Sequence, residues 1–270
     1  MAHKTLINGT SYAIKSGRTL IDGTGYDIKK GRTLIGGTGY DVSFSTPVEE
    51  LPVGTSVYMN VDGVRTEFII VHQGKPDITQ NDQYYLELYD DTCVGTWVMM
   101  KPNYYVEDGI SGEKLNSGLS NIFLKKLDVS IQAMIGTANI PTYSDEGNVY
   151  TEKCKIFNLG VFEVGFYLQS GTNYVWMPND GAKLDYFIKG NTTSAAKERR
   201  IAYWRSTARE WTLRSVGSTG YYDHVWEVKA NGEGDNGYTT NNIFNFFRPT
   251  WIFPAAAGAK VDDNFNIIPA

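Results

Sequence analysis

Seven residues near the C-terminus carry the side chains best suited to hold a ligand. Tyr221, Tyr222, Asp223 and His224 stand together, and Tyr238, Asn241 and Asn242 follow a short interval later. Phenol rings stack on the faces of sugars, and carboxamides donate to and accept from hydroxyls. The set therefore suits recognition of a glycan or of a protein surface. A second reading is equally compatible with the sequence: Tyr221 and Tyr222 pack beneath their loop and the asparagines make turns.

Catalysis would need an acid and a base, or a nucleophile and a base, placed together. Of three histidines, His3 lies in the leader, His72 sits in an apolar strand where a core or edge position is expected, and His224 belongs to the Tyr-rich loop. The chain holds no G-x-S-x-G, no H-E-x-x-H and no paired Cys/His spacing of the metal-binding kind. Strings such as Gly23-Thr24-Gly25 fall in repeat turns and open no helix. The expectation is a protein that is not an enzyme and takes no cofactor. Asp223, Glu233, Asp235 and Asn236 offer the hard oxygens calcium favours, yet their spacing fits no EF-hand loop, and solvated loop carboxylates explain them.

The elements around those loops are β in character. Trp211–Ser215 and Val225–Val228 read as strands, and a third follows in IFNFFRPTWIF from Ile243. Earlier, SVYMNVDGVRTEFIIVHQG reads as a hairpin turning at Asp62-Gly63, and QYYLELYD and TWVMMK as further strands. One stretch has clear helical spacing, from about Ser117 to Ile135 through Leu119, Ile122, Phe123, Leu127, Ile131 and Met134. Asp128 is placed to cap a second helix within it. Trp204, Trp211, Trp226 and Trp251 are expected in the core, and Arg214 and Arg248 are expected to tie the last strands together.

Upstream, one phrase is repeated three times: KTLINGTSYAIKSG from Lys4, RTLIDGTGYDIKKG from Arg18 and RTLIGGTGYDVSFS from Arg32. Leu6, Leu20 and Leu34 recur every 14 residues, as do Ile7, Ile21 and Ile35, and Tyr12, Tyr26 and Tyr40. Each unit reads strand, two-residue turn, strand, because Asn-Gly and Asp-Gly supply the positive φ a tight hairpin needs. Hairpins with strands of about five residues are marginal alone in water, so stacking on neighbours and on sister chains is expected. Those nine residues are the predicted assembly positions, and a homotrimer the predicted state; a duplicated meander at the edge of a monomeric sheet is the other arrangement the repeats allow.

A formal net charge of −5 gives no reason to expect a nucleic-acid partner, and Lys197, Arg199, Arg200 and Arg205 read as a solvated basic loop. Cys93 and Cys154 do not make a disulfide framework, and buried free thiols are expected. Nothing in the chain reaches eighteen consecutive apolar residues, and MAHKTLING has no apolar leader, so synthesis in the cytoplasm without a signal peptide and no membrane insertion are expected. The predicted organisation is three repeats in residues 1–45, a globular domain in 46–254 and a C-terminal tail in 255–270.

The order Trp211-Thr212-Leu213-Arg214-Ser215, Val225-Trp226-Glu227-Val228, then Phe247-Arg248-Pro249-Thr250 resembles the closing motifs of a domain family of unknown function found in phage and prophage proteins. Val53 to Pro76 looks like its opening segment, and the repeats look like the GKTLIDGTxY units upstream in similar phage proteins. Thr250 stands where that family usually has Ala, and the segment after Trp97 lacks part of its pattern. The family is similar to the C-type-lectin-like fold of formylglycine-generating enzymes. The resemblance implies an α+β, mostly β chain in which hairpin repeats precede a C-type-lectin-like domain with one main helical segment. It further implies a virion location, other virion proteins as partners, and a role either in binding a host-surface glycan or protein or as a capsid decoration, head-fibre or tail component.

Overall fold

Three strands of the chain are apolar at nearly every position: Phe68 to Val71, Trp97 to Met100 and Trp251 to Phe253. Such runs suit strands buried on both faces, whereas alternating ones suit a strand with one wet face. In a computed structural model both faces of these strands are covered. It describes residues 45–76, 89–111, 115–143, 149–167, 181–216, 224–239 and 243–269, together with the backbone of six strands before residue 44.

Those six strands form three hairpins: β1 (Lys4–Ile7) with β2 (Thr10–Ala13), β3 (Gly17–Ile21) with β4 (Thr24–Ile28), and β5 (Lys30–Ile35) with β6 (Thr38–Ser43). Their registers are equivalent. Thr5, Thr19 and Thr33 stand opposite Tyr12, Tyr26 and Tyr40, and each hairpin closes across two residues between Ile and Thr. The predicted assembly residues all lie in these strands, and their side chains lie outside the described ones.

After β7 (Thr46–Pro47) comes the central sheet. Strands β8 (Ser56–Val61) and β9 (Val64–Gly74) turn at Asp62-Gly63, where φ is +50° and +76°, as expected for the Asp-Gly pair. Beside them run β10 (Gly95–Met100) and, later in the chain, β20 (Thr250–Phe253), in the antiparallel order β20-β10-β9-β8. Phe68, Ile70, Val98, Met100, Trp251 and Phe253 face one apolar cluster; Ile69, Val71, Trp97, Met99 and Ile252 face another. The edge strand β8 contributes Val57, Met59 and Val61 to the first cluster alone, which is why only it alternates.

The first cluster is covered by the helical segment. It divides into α1 (Leu115–Phe123), a 3₁₀ turn at Leu124–Lys126 and α2 (Val129–Met134), with Leu119, Phe123, Ile131 and Met134 directed inward. Asp128 occupies the predicted N-cap position, but its carboxylate accepts from Asn60 Nδ2 at 3.1 Å and caps nothing. The second cluster is covered by the segment from Cys154 to Phe166, by Leu184 and Phe187, and by the sheet β16 (Trp211–Val216), β17 (His224–Val228) and β18 (Gly234–Thr239). Two-stranded pairs complete the framework: β11 (Tyr104–Ser111) with β19 (Ile243–Phe247), β12 (Ala138–Tyr143) with β13 (Val149–Cys154), and β14 (Ala202–Trp204) with β15 (Thr207–Arg209).

One element was not expected. A helix α3 spans Ser194–Arg200, so the basic residues Lys197, Arg199 and Arg200 occupy its last turn, where cations complement the helix dipole, and Arg200 is fully buried. Residues 255–269, for which the sequence leaves an ordered strap and a loose tail both open, form a strap: β21 (Lys260–Val261) pairs with both β7 and β22 (Ile267–Ile268), and Ala259, Val261 and Ile267 enter the first cluster. Phe265 O accepts from Tyr58 N at 2.9 Å, so the strap also covers the open edge of β8. The chain is thus α+β and mostly β.

Candidate functional site

The hairpin β14–β15 turns through Arg205 and Ser206, at φ +47° and +66°. A two-residue turn with both central residues left-handed ordinarily recruits Asn and Gly; Arg-Ser accepts a cost of order 1 kcal/mol per residue, the kind of local strain that clusters where side chains must be displayed. The turn lifts Trp204 out of the core. Its ring lies 5.3 Å from Tyr105 and 5.8 Å from Phe246, and those two rings are 5.2 Å apart. Tyr105 and Phe246 are cross-strand neighbours on β11 and β19, a pairing that favours ring contact. The Arg205 guanidinium sits 4.3 Å above the Trp204 ring and that of Arg209 5.9 Å from the Phe246 ring.

The surface is open. Tyr105 is 40% exposed, Arg205 and Arg209 are exposed, and Trp204 and Phe246 are half-buried. Trp204 therefore departs from the core position expected of it: it stands half-buried on a hairpin of three-residue strands, with the exposed Arg205 over its ring. Trp211, Trp226 and Trp251 are in the core as expected.

Behind the hairpin the framework is polar and closely bonded. Buried Asn103 donates its backbone N–H to Tyr203 O at 2.9 Å and its Nδ2 to Arg209 O at 3.2 Å, fastening both strands to the start of β11. Between Tyr105 and Ile110 four residues of β11 bulge opposite Asn245, whose Nδ2 donates to Val106 O at 2.7 Å. Gly109 makes this bulge possible: φ is +66°, and a Cβ there would stand 1.9 Å from Ile243 Cγ2. Arg200, at the root of β14, donates to the carbonyls of Gly232, Val164, Gly190 and Asn191, and accepts Trp211 Nε1 on its own carbonyl at 2.9 Å. Arg248 lies 5.1 Å from the Trp211 ring and donates Nε to Met100 O at 3.0 Å. Burial brings its pKa down to about 10.

Deeper still, Arg214 and Glu163 form a fully buried bidentate pair at 2.5 and 2.8 Å. Glu163 also accepts from Tyr89 Oη at 2.7 Å and Gly160 N at 2.8 Å, while Arg214 donates to the Pro141 and Asn158 carbonyls. Burial, then the Glu163 charge, pushes the Tyr89 hydroxyl well above the ordinary phenol range. With its described partners all internal, this network ties four segments together.

Of the residues singled out from the sequence, His224 begins β17, half-buried and opposite Thr239, and Tyr238 stands opposite Val225 in β18. Tyr221, Tyr222, Asp223, Asn241 and Asn242 lie outside the described residues. His72 is buried; its Nδ1 stands 2.9 Å from Asp185 Oδ2, an ion-pair distance without hydrogen-bond alignment. Glu233 pairs with Lys197 at 2.6 Å and Asp235 with Lys229 at 2.5 Å, so lysines engage two of the four calcium candidates. Among the described residues no three His, Cys, Asp or Glu side chains gather as metal ligands would. Cys93 and Cys154 are free and buried, and burial pushes their thiols up to about 11 and about 12. The Tyr105–Trp204–Phe246 cluster escaped the sequence reading because its members are over a hundred residues apart at the extremes; the one local signal was an Arg-Ser turn where Asn-Gly is usual.

No curated protein and no solved structure matches the chain. A domain family of unknown function, DUF6273, matches residues 80–254. Strands β8 and β9, half of the central sheet, lie outside the match. It takes in Tyr105, Trp204, Phe246, both exposed arginines and the Glu163–Arg214 pair. With well over half of its length matched, the chain belongs to the DUF6273 family.

Proposed function

We propose that this chain is a virion structural protein that oligomerises or docks through its N-terminal repeats and presents its globular domain, of C-type-lectin-like type, to a host-surface receptor. The observation that carries the reading is the solvent-facing cluster of Tyr105, Trp204 and Phe246 with Arg205 and Arg209. Aromatic rings displayed on a rigid sheet, fastened from behind by Asn103, provide contact area at little entropic cost, which is what an adhesive surface needs. The equivalent registers of the three hairpins support a repeated docking segment, and the motif resemblance supports the virion setting. On this reading the recognition surface is the face formed by β11, β14, β15 and β19, and the loops around Tyr221 and Asn241 are the other candidate.

The test is a glycan and cell-surface array probed with the full chain and with the Trp204→Ala variant. Binding by the parent that falls at least tenfold in the variant supports the reading. Absence of binding by the parent on every surface would refute it and leave a non-adhesive capsid decoration, head-fibre or tail role.

A further inference from the structure

We propose that the Tyr105–Trp204–Phe246 face takes a saccharide bearing a carboxylate, gripped by Arg205 and Arg209. This rests on the surface-binding role just proposed and names its ligand class. Neither arginine has a carboxylate partner among the described residues; their recorded neighbours are the rings of Trp204 and Phe246. A guanidinium carries all its N–H donors in its own plane, so one stacked on an indole keeps those donors directed sideways, free for a bidentate carboxylate. Stacking also restrains the side chain in advance, reducing the entropy lost on binding.

The rings provide the other half of the recognition. A pyranose offers an apolar C–H face to an aromatic ring and its hydroxyls to polar groups at the rim, and the exposed Tyr105 supplies a ring of that kind. Charge distribution selects against a dense polyanion. Exposed Glu107 and Asp108 occupy the bulge beside Tyr105, Glu210 directly follows Arg209, and the chain carries a net charge of −5. Nucleic acid requires a stripe of cations along its backbone, and two arginines flanked by carboxylates do not make one. A sugar acid with isolated charges fits.

The experiment is calorimetric titration of the full chain with a hyaluronan hexasaccharide, in which alternate sugars are glucuronate, and with the same hexasaccharide after reduction of each carboxylate to a hydroxymethyl group. The acidic form is expected to bind at least tenfold more tightly. Arg205→Gln, an exposed change, should abolish that preference while leaving the weak binding of the reduced form in place, and Trp204→Ala should weaken both. Equal binding of the two forms, an unchanged preference in Arg205→Gln, or no binding of either hexasaccharide at millimolar concentration would overturn the ligand class. The broader adhesive role falls only if the array finds no surface at all.

Discussion

Replacing Arg214 with Met removes one partner of the most deeply buried ion pair among the described residues. Glu163 would keep the Tyr89 hydroxyl and the Gly160 N–H, at 2.7 and 2.8 Å, but lose the guanidinium that bonds both its oxygens. The Pro141 and Asn158 carbonyls would lose their donors in the same step. Breaking a buried pair from one side costs about 3–5 kcal/mol, because the charge left behind is uncompensated. Two orphaned carbonyls add to this, so the upper end of the range is expected. The double variant Glu163→Gln/Arg214→Met removes the stranded charge and should recover about half of the loss. Urea unfolding followed by tryptophan fluorescence measures all three proteins, with the variant midpoint compared at constant slope. A loss below about 1 kcal/mol in Arg214→Met, or a double variant no more stable than the single, would refute the assignment of this pair as the internal tie.

Other outcomes follow from the same structure. Glu227 is buried, and desolvation first, then the charges of Asp235 and Glu210, raises its pKa to about 7. The unfolded carboxyl ionises near its ordinary value while the folded one stays protonated, so stability should fall as pH rises from about 4.5 to 7 and then level off, by at most about 3 kcal/mol. Glu227→Gln should flatten that slope in pH-dependent urea titrations. Ser206→Gly, which relieves a left-handed serine, should raise stability by about 0.5–1 kcal/mol in thermal unfolding, and no gain would mean the turn is unstrained. Cys93 and Cys154, with thiols pushed up to about 11 and about 12, should resist alkylation at pH 8 in the folded chain and react fully in denaturant, as mass spectrometry would show. Light scattering should give a trimer for the full chain and a monomer for a chain starting at Ser45, which retains β7; identical masses would remove assembly from the repeats.

Much of the fold was legible because it is written locally. The Asp62-Gly63 turn announced β8 and β9, and the spacing from Leu119 to Met134 announced the helical segment. Helix α3 gave no such signal. Its seven residues bury only Ala196 and Arg200, too few for a period to emerge, and a buried arginine bonded to four carbonyls is indistinguishable in sequence from a solvated one. The candidate surface was hidden for a related reason. It is assembled from β11, the β14–β15 hairpin and β19, and Trp204 differs from the core tryptophans in standing half-buried on a hairpin of three-residue strands.

The central claim is that ligand contact falls on the β11–β14–β15–β19 face. Hydrogen exchange of the full chain, measured with and without the surface glycan that binds it best on the array, locates that contact directly. Slowed exchange across residues 202–209 and at Tyr105 and Phe246 is the predicted result. Protection confined to residues 217–223 and 240–242, with the hairpin unchanged, would contradict it and return the site to the loops first suggested by the sequence.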